Sequence, residues 1–421
     1  MTQVDQRGFD NQPAWLTAAQ AARALDVKLK TLYAYVSRGL IRRMQDPDGK
    51  KRYARDDVAR LRARHDARSG HGAVAAGALR WGEPVLATAI SAIAPDGPRY
   101  RGQPALRLAM EGAPFESVAE LLWTGAMLPL RPAWPPPLPL PRARLQSLLS
   151  SQPSRPSPFV VLQLAAVALA AADPAPFPAV LPQELDRARS LTRTLAAAAA
   201  LAFDPKRYEA AARASSLAET AALALGGKGD ARTVAAVEEA LVLAADHELN
   251  VSCFAARVAA STGADLYACL TAALATMSGP LHGGESDRFA AFVAEAGTPA
   301  RARAVVAARA RRGDRFPGFG HRLYPAGDPR GARLLSLARR LGLRQKGLRT
   351  IDAVIDAVVA SGGEPPSLDA GLHALTVALE LSPGAGAAIF ALGRTAGWIA
   401  HVLEQRAEPS LLRPRARYVG V

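Results

Sequence analysis

Cysteines and long apolar runs are both scarce in this sequence. The chain has 421 residues and 2 cysteines, Cys253 and Cys269, which excludes a disulfide-held fold and fits a reducing compartment. The Ala-rich stretch 195–203 ends at a charge before about 18 apolar residues accumulate, so it predicts a buried helix. Residues 1–13 lack the apolar core of a signal peptide. We therefore expect a soluble, cytoplasmic protein that does not enter a membrane.

Acidic residues are also in the minority. There are 37 Asp and Glu against 52 Lys and Arg, for a formal net charge of +15. Residues 1–70 carry 15 of these cations and 8 of the acids, so positive charge is densest at the N-terminus. A basic N-terminal module points toward nucleic acid. The hydrophobic content of 49% excludes a disordered chain, and the length predicts two to three domains.

The sequence predicts a disordered tail over residues 1–13 and a compact unit over 14–68. Thr17 and Gln20 match a capping box, so a helix is expected from about Ala18. A second helix over about 30–38 ends at Gly39, where a left-handed backbone is favourable.

A small hairpin is expected after these helices. Two short strands, 41–44 and 50–53, flank the turn signal at 46–49, and an Arg-rich helix over 55–68 follows. Residues 69–72 (SGHG) indicate a hinge.

Helix, turn, helix and wing in this order are typical of a winged helix-turn-helix. Residues 16–41 and 51–53 resemble the MerR/excisionase-like family, which implies DNA binding. A basic surface that mediates protein contacts is the alternative. The residues that could contact phosphates are Lys28, Lys30, Tyr33, Arg38, Arg42, Arg43, Lys50, Lys51 and Arg52.

Helical periodicity dominates the rest of the chain, with long loops expected at 132–141 and 150–158. Three segments carry histidines beside Gly, Pro or acids: 246–252 (DHELNVS), 279–284 (GPLHGG) and 317–324 (PGFGHRLY). No HxxxH or CxxC spacing accompanies them, so no metal site is predicted. The remaining interpretation is acid–base chemistry. Histidines would donate hydrogen bonds, a carboxylate elsewhere would act as the base, and arginines would bind an anionic substrate.

These three segments, in this order and followed by 328–330 (DPR), resemble the citrate synthase family. The resemblance extends to 100–102, 115–122, 390–401 and 413–418, and covers about residues 80–421. It implies an all-α fold with a large domain, 71–284 plus 391–421. It also implies a small domain, 285–390, that closes over the substrates.

The resemblance implies condensation of oxaloacetate with acetyl-CoA, or with propionyl-CoA to give 2-methylcitrate. The coenzyme A thioester is a substrate, and no other cofactor or metal is implied. Asp369 takes the position of the base that removes a proton from the acyl α-carbon. His282 would hydrogen-bond the thioester carbonyl, and His321 would donate to the oxaloacetate carbonyl.

Further residues match the family's binding positions. His247, Arg330 and Arg394 would bind oxaloacetate. Arg413 matches an arginine that reaches into the partner subunit's site, so a homodimer is implied. The loop expected to hold coenzyme A comprises Pro317, Gly318, Phe319 and Gly320.

The sequence departs from the family pattern at two places. Residues 366–369 read PSLD where PNVD is usual, and Glu285 follows Gly284 where a small residue is usual. Contacts with coenzyme A and the choice of acyl chain are expected to differ accordingly. The alternative role for Asp369 is a helix N-cap. His373 and His401 are expected to be structural.

Two alternatives to a plain enzyme follow from the N-terminal unit. In one, a DNA-binding regulator uses the synthase body to sense oxaloacetate or an acyl-CoA, and a dimer pairs two recognition helices on a palindromic site. In the other, the N-terminal unit is a protein-docking or assembly module.

Overall fold

The computed structural model describes residues 15–25, 27–45, 50–55, 57–58, 61, 86–151, 156–177, 180–342, 345–408 and 410–414. The chain divides into two compact units, Met1–Ala87 and Thr88–Val421. The predicted tail, the hairpin turn, the hinge at 69–72 and most of the helix at 55–68 lie outside the described residues.

The first unit contains two helices and a three-stranded antiparallel sheet of order β1-β3-β2. Its elements are β1 (Trp15–Leu16), α1 (Ala18–Leu25), α2 (Leu29–Ser37), β2 (Arg43–Gln45) and β3 (Lys51–Ala54). The predicted helices and wing strands are confirmed to within two residues. The sequence did not predict β1, because two residues are too few to show an alternating pattern.

Local sequence signals explain the ends of both helices. The Thr17 N–H donates to Gln20 Oε1 at 2.9 Å and the Gln20 N–H donates to Thr17 Oγ1 at 3.2 Å, which confirms the capping box. Gly39 has φ 70°, as the left-handed end of α2 requires. The small core beneath these helices contains Ala21, Leu25, Leu32, Ile41, Tyr53 and Val58.

The second unit is mostly helical, as predicted, and begins with a small antiparallel sheet that the sequence did not predict. This sheet has the order β4-β5-β6, with β4 at Ser91–Ala94, β5 at Gly97–Tyr100 and β6 at Gln103–Pro104. The helices are α3 (Ala105–Met110), α4 (Phe115–Thr124), α5 (Arg142–Ser150), α6 (Pro158–Ala172), α7 (Leu181–Ala198), α8 (Ala200–Phe203), α9 (Tyr208–Ala212), α10 (Leu217–Ala224), α11 (Ala231–Ala244), α12 (Val251–Ser261), α13 (Leu266–Met277), α14 (Glu285–Ala296), α15 (Pro299–Arg312), α16 (Pro329–Leu341), α17 (Lys346–Ala360), α18 (Leu368–Ala378) and α19 (Ala385–Ala407).

The long helix α19 forms the centre of this unit. It packs against α4, α11, α12, α13 and α18. By length and composition α19 could cross a membrane, but 94% of its apolar window is buried inside the protein, as in a core helix. Residues 132–141 form neither helix nor strand, which confirms the loop predicted there.

Helices α14 to α18 pack mainly against one another, with α16 against α18 and α15 against α17. They meet the central helix through α14 and α18. The histidine segments therefore lie around the ends of α11, α13 and α15, next to the start of α18. The proposed limits of a large and a small domain stay a prediction.

Candidate active site

Two of the predicted histidines lie together with a tyrosine that the sequence did not single out. The rings of His247 and His321 have centroids 5.1 Å apart, and the Tyr324 ring lies 4.9 Å from that of His321. His247 Nε2 and Tyr324 Oη are 3.1 Å apart. Burial first, and then the positive charges of Arg330 and Arg394, lower the pKa of His247 well below its usual value. His247 is therefore a neutral hydrogen-bonding group.

The turn between α11 and α12 positions His247. Glu248 adopts φ 55°, which reverses the chain directly after the histidine. Asn250 then caps α12, because its Oδ1 accepts the backbone N–H groups of Ser252 and Cys253 at 3.1 and 3.2 Å. The histidine is thus held between the end of one buried helix and the start of the next.

His282 lies in the loop between α13 and α14 and is oriented by a buried serine. Ser252 Oγ lies 2.9 Å from His282 Nε2 and accepts the indole N–H of Trp398 at 3.0 Å. Burial, followed by the charge of Arg394, lowers the pKa of His282 to about 4. This imidazole is therefore neutral at physiological pH.

His321 is fixed through its other nitrogen. Its Nδ1 accepts the backbone N–H of Leu323 at 3.2 Å, so the ring proton is on Nε2. Burial and the nearby Arg330 lower the pKa of His321 to about 4. His321 is therefore a neutral imidazole whose Nε2–H is a hydrogen-bond donor.

Asp369 lies in the first turn of α18, and its alternative role as N-cap is wrong. Ser367 is the N-cap, since its Oγ accepts the Asp369 N–H at 3.3 Å. Asp369 Oδ1 is buried and has no hydrogen-bond partner among the described residues. Burial, and then the negative charges of Glu285 and Asp328, raise the pKa of Asp369 to about 7. Such a carboxyl group suits a general base near neutral pH.

The loop predicted to hold coenzyme A packs against the segment that precedes Asp369. The Gly320 N–H donates to the Pro365 carbonyl and the Ser367 N–H donates to the Gly318 carbonyl, both at 2.8 Å. Gly318 has φ 79°, and a Cβ there would lie 2.5 Å from the Phe289 ring. Pro317, Gly318 and Phe319 are buried and Gly320 is half-buried, so the loop is held inside the protein next to the segment that leads to Asp369.

Two of the three predicted arginines lie buried among these histidines. The Arg330 guanidinium donates to both oxygens of Asp328, at 3.0 and 2.8 Å. Arg394 Nε donates to the Ala244 carbonyl at 2.8 Å. The Arg330 guanidinium lies 5.8 Å from the centroid of the Tyr324 ring, which is next to His247 and His321. Arg413, in contrast, is exposed, and no described residue of this site contacts it.

A second buried cluster lies behind His247. One potential ligand atom from each of Asp246, Cys253 and His401 lies within 4.8 Å of the other two. Asp246 accepts a short hydrogen bond from Ser91, and His401 Nε2 lies 3.5 Å from Asp246 Oδ2. Burial alone would lower the pKa of His401, but the adjacent Asp246 carboxylate raises it, so the histidine forms a buried ion pair with Asp246. Burial also raises the pKa of the Cys253 thiol, which makes it a poor nucleophile.

Several residues that contact the predicted ones cannot be recognised from the sequence. Tyr324 and Ser252 lie inside the recognised segments, but their hydrogen bonds to histidines 77 and 30 positions away appear only in the folded chain. Ser367 carried a recognisable signal, because serine before a helix is a preferred N-cap.

The predicted nucleic-acid residues of the first unit are mostly exposed. Lys28, Lys30, Tyr33 and Arg38 are exposed and Arg52 is half-buried. Arg42 differs from the expectation of a wing residue, because its guanidinium donates to the buried carboxylate of Asp57 at 2.9 and 3.2 Å. Arg42 therefore joins the wing to the residues after β3.

Comparisons with known proteins cover both units. The family model described as "Citrate synthase, C-terminal domain" matches residues 78–415, and one described as "Helix-turn-helix domain" matches residues 15–66. Citrate synthase 2 of Bacillus subtilis is 37% identical over 44% of this chain, and the chain spans only about half of that relative, 51%. A 2-methylcitrate synthase of Mycobacterium tuberculosis is 32% identical, with 79% of this chain and 88% of the relative covered.

The fold has counterparts among solved structures. A citrate synthase from the archaeon Thermoplasma acidophilum, solved as a ternary complex with carboxymethyl coenzyme A and oxaloacetate, is similar with a TM-score of 0.70 and 26% identity. This similarity covers 80% of the present chain and 94% of the archaeal one. Citrate synthase from Thermotoga maritima is similar with a TM-score of 0.64 and 25% identity, covering 81% and 94%. This chain, with a helix-turn-helix domain at its N-terminus, belongs to the citrate synthase family.

Proposed function

We propose that the protein condenses oxaloacetate with acetyl-CoA or propionyl-CoA and releases coenzyme A by hydrolysis of the thioester. The observation that carries this proposal is that hydrogen bonds fix His282 and His321 in place, while Asp369 presents a buried carboxylate oxygen that has no partner among the described residues. The raised pKa of Asp369, about 7, and the lowered pKa of both histidines, about 4, agree with it. A thioester α-carbon is a weak acid, so a base and a hydrogen-bond donor must act on it together.

In the proposed reaction, Asp369 takes a proton from the acyl α-carbon while His282 donates to the thioester carbonyl, giving an enol or enolate. This carbon then attacks the keto carbon of oxaloacetate, and His321 donates its Nε2 proton to the developing alkoxide. Water hydrolyses the resulting thioester to the tricarboxylate and free coenzyme A. Arg330 and Arg394 hold the carboxylates of oxaloacetate, as buried guanidinium groups can.

The test is release of free thiol from each thioester in the presence of oxaloacetate. We expect release with the wild-type protein and its loss, by at least about a thousandfold, in Asp369→Asn and His282→Gln. Ser361→Ala is a matched control, since its hydroxyl only donates to the Val358 carbonyl at 2.7 Å. A folded protein that binds oxaloacetate but releases no thiol from either donor would contradict the proposal. Propionyl-CoA differs from acetyl-CoA by one methylene group, which contributes about 1–3 kcal/mol to discrimination between the two thioesters.

A second function, DNA binding by the N-terminal unit, is supported by the exposed set Lys28, Lys30, Tyr33 and Arg38 on and beside α2. We propose that these residues contact phosphates. In gel-shift titrations at increasing salt, each of Lys30→Ala and Arg38→Ala is expected to reduce the salt slope by about one. Arg23→Ala, an exposed arginine on α1, is the control. Equally weak binding to every duplex would leave the regulatory hypothesis without support.

A further inference from the structure

Glu285 is a buried acid at the edge of the proposed active site. It is the first residue of α14, directly after Gly284, and is 9% exposed. A buried carboxylate is costly unless it is paired or well hydrogen-bonded. Its nearest cations lie beyond hydrogen-bond range, with Arg288 at 3.7 Å and Arg315 at 3.8 Å, and both arginines are exposed. Glu285 therefore has only weak charge compensation.

One oxygen of Glu285 connects it to the base through the backbone. Oε1 accepts the Gly318 N–H at 3.1 Å, and the Gly318 carbonyl accepts the Ser367 N–H at 2.8 Å. Ser367 in turn caps the helix that presents Asp369. The three segments around the base are thus joined by consecutive hydrogen bonds that begin at Glu285.

The other oxygen has no hydrogen-bond partner. Glu285 Oε2 and Asp369 Oδ1 are both buried and both without a partner among the described residues. The other charged groups that act on Asp369 are Asp328 and Arg330, which are bound to each other, while His373 lies one turn further along α18. Two buried carboxylates with so little compensation repel each other when both are ionised.

We propose that Glu285 is a positioning residue for the base Asp369, because it anchors the Gly318 loop against the N-cap of the helix that carries Asp369 and places a poorly compensated carboxylate beside that helix. This inference rests on the proposed condensation, in which Asp369 removes the α-proton. The electrostatic effect of Glu285 on Asp369, second only to burial, supports it. A carboxylate that is destabilised in this way binds a proton more readily, so it is a stronger base.

The decisive variant is Glu285→Gln, which keeps an oxygen to accept the Gly318 N–H and removes only the charge. We expect the acid limb of the pH profile of kcat/KM to move down by about one pH unit, with KM for the thioester within about twofold of wild type. Glu285→Ala is expected to show the same shift and also a higher KM, because the Gly318 loop loses its acceptor.

Glu295→Gln is the matched control, because Glu295 belongs to the same helix but binds Arg309 at 2.9 Å. Its acid limb is expected to coincide with that of wild type. An unshifted acid limb in Glu285→Gln would overturn the proposal, whatever the effect on kcat.

Thermal unfolding gives a readout that does not depend on catalysis. If the two carboxylates interact, Glu285→Gln has a higher Tm than wild type at pH 8, and the difference closes near pH 5, where Asp369 is protonated in both proteins. A Tm difference of the same size at pH 8 and pH 5 would overturn the proposed interaction between Glu285 and Asp369. Should the wild type release no thiol from either donor, the condensation fails, and this Tm comparison still decides the role of Glu285.

Discussion

Ser252 Oγ lies 2.9 Å from Nε2 of His282, at the centre of a buried hydrogen-bond network. The hydroxyl oxygen accepts the Trp398 indole N–H, and two acceptors lie within reach of its proton: His282 Nε2 and, at 2.7 Å, Asn250 Oδ1. Asn250 Oδ1 already accepts two backbone N–H groups. We infer that the serine proton is directed at His282 Nε2. The imidazole then carries its own proton on Nδ1, which is the nitrogen left to donate to a substrate carbonyl.

Replacing Ser252 should leave the His282 imidazole in place but no longer fix which of its nitrogens carries the proton. In Ser252→Ala we expect kcat/KM to fall about 10- to 100-fold, because the His282 tautomer is no longer fixed. The unpaired Trp398 indole should also reduce the free energy of unfolding by about 1–3 kcal/mol. Steady-state kinetics and urea unfolding measure the two effects separately. Ser252→Thr, which retains a hydroxyl, should recover much of the activity; an unchanged kcat/KM in Ser252→Ala would exclude this role.

The pH profile of kcat/KM should show a single titrating group between pH 5 and 9. Since the pKa of Asp369 is raised to about 7 and the base must be ionised, kcat/KM should rise tenfold per pH unit below pH 7 and level off above it. His282 and His321, with pKa values of about 4, are neutral throughout this range and add no further limb. Stopped assays of thiol release across this range measure the midpoint. A midpoint near the ordinary carboxyl pKa of about 4 would contradict the buried setting of the base.

The same carboxyl group should make the protein less stable as pH rises. A carboxyl with a raised pKa binds its proton more tightly in the folded state, so its contribution to stability is lost between about pH 4 and pH 7. Asp369→Asn removes the free-energy cost of ionising this carboxyl group inside the fold. At pH 8 the variant should therefore be more stable than wild type by on the order of 2–4 kcal/mol, and it should be inactive. Urea unfolding at pH 5 and pH 8 tests this, and the gain should be smaller at pH 5. Glu295→Gln should show no comparable gain.

The local structure of the first unit was readable from the sequence because its signals lie within a few residues. Thr17 and Gln20 are three positions apart, and Gly39 ends its helix by its own backbone preference. The three histidine segments were likewise recognisable as short strings. The β4-β5-β6 sheet was not, because its strands are two to four residues long and two of them contain proline.

The hydrogen-bond partners of the predicted catalytic groups depend on contacts between distant segments. Ser252 and His282 are 30 positions apart, and Glu285 meets Gly318 across 33. Only the packing of α12, α14 and α18 around the site decides which polar atoms of these segments meet. A deviation such as Glu285 could therefore be noticed in the sequence, but its contact with the Gly318 loop could not be predicted.

Arg394 should contribute to binding oxaloacetate more than to the chemical step. Arg394 is 1% exposed, and its Nε donates to the Ala244 carbonyl, a hydrogen bond for which lysine has no equivalent donor. Arg394→Lys is expected to raise KM for oxaloacetate about 30-fold, or about 2 kcal/mol, with a smaller change in kcat. Arg339→Lys, at an exposed pair with Asp352, is the control. A loss confined to kcat would place Arg394 at the reacting carbon instead.

Arg413 provides a test of whether two chains build each site. It is exposed and contacts none of the described site residues of its own chain, as an arginine that serves a partner subunit would. Arg413→Ala and Asp369→Asn should each be nearly inactive alone. Mixed under conditions that exchange subunits, they should recover about a quarter of wild-type activity, since half of the dimers are mixed and one of their two sites is intact. No recovery, despite subunit exchange shown by native mass spectrometry, would mean that Arg413 and Asp369 act in the same site of one chain or that Arg413 has another role.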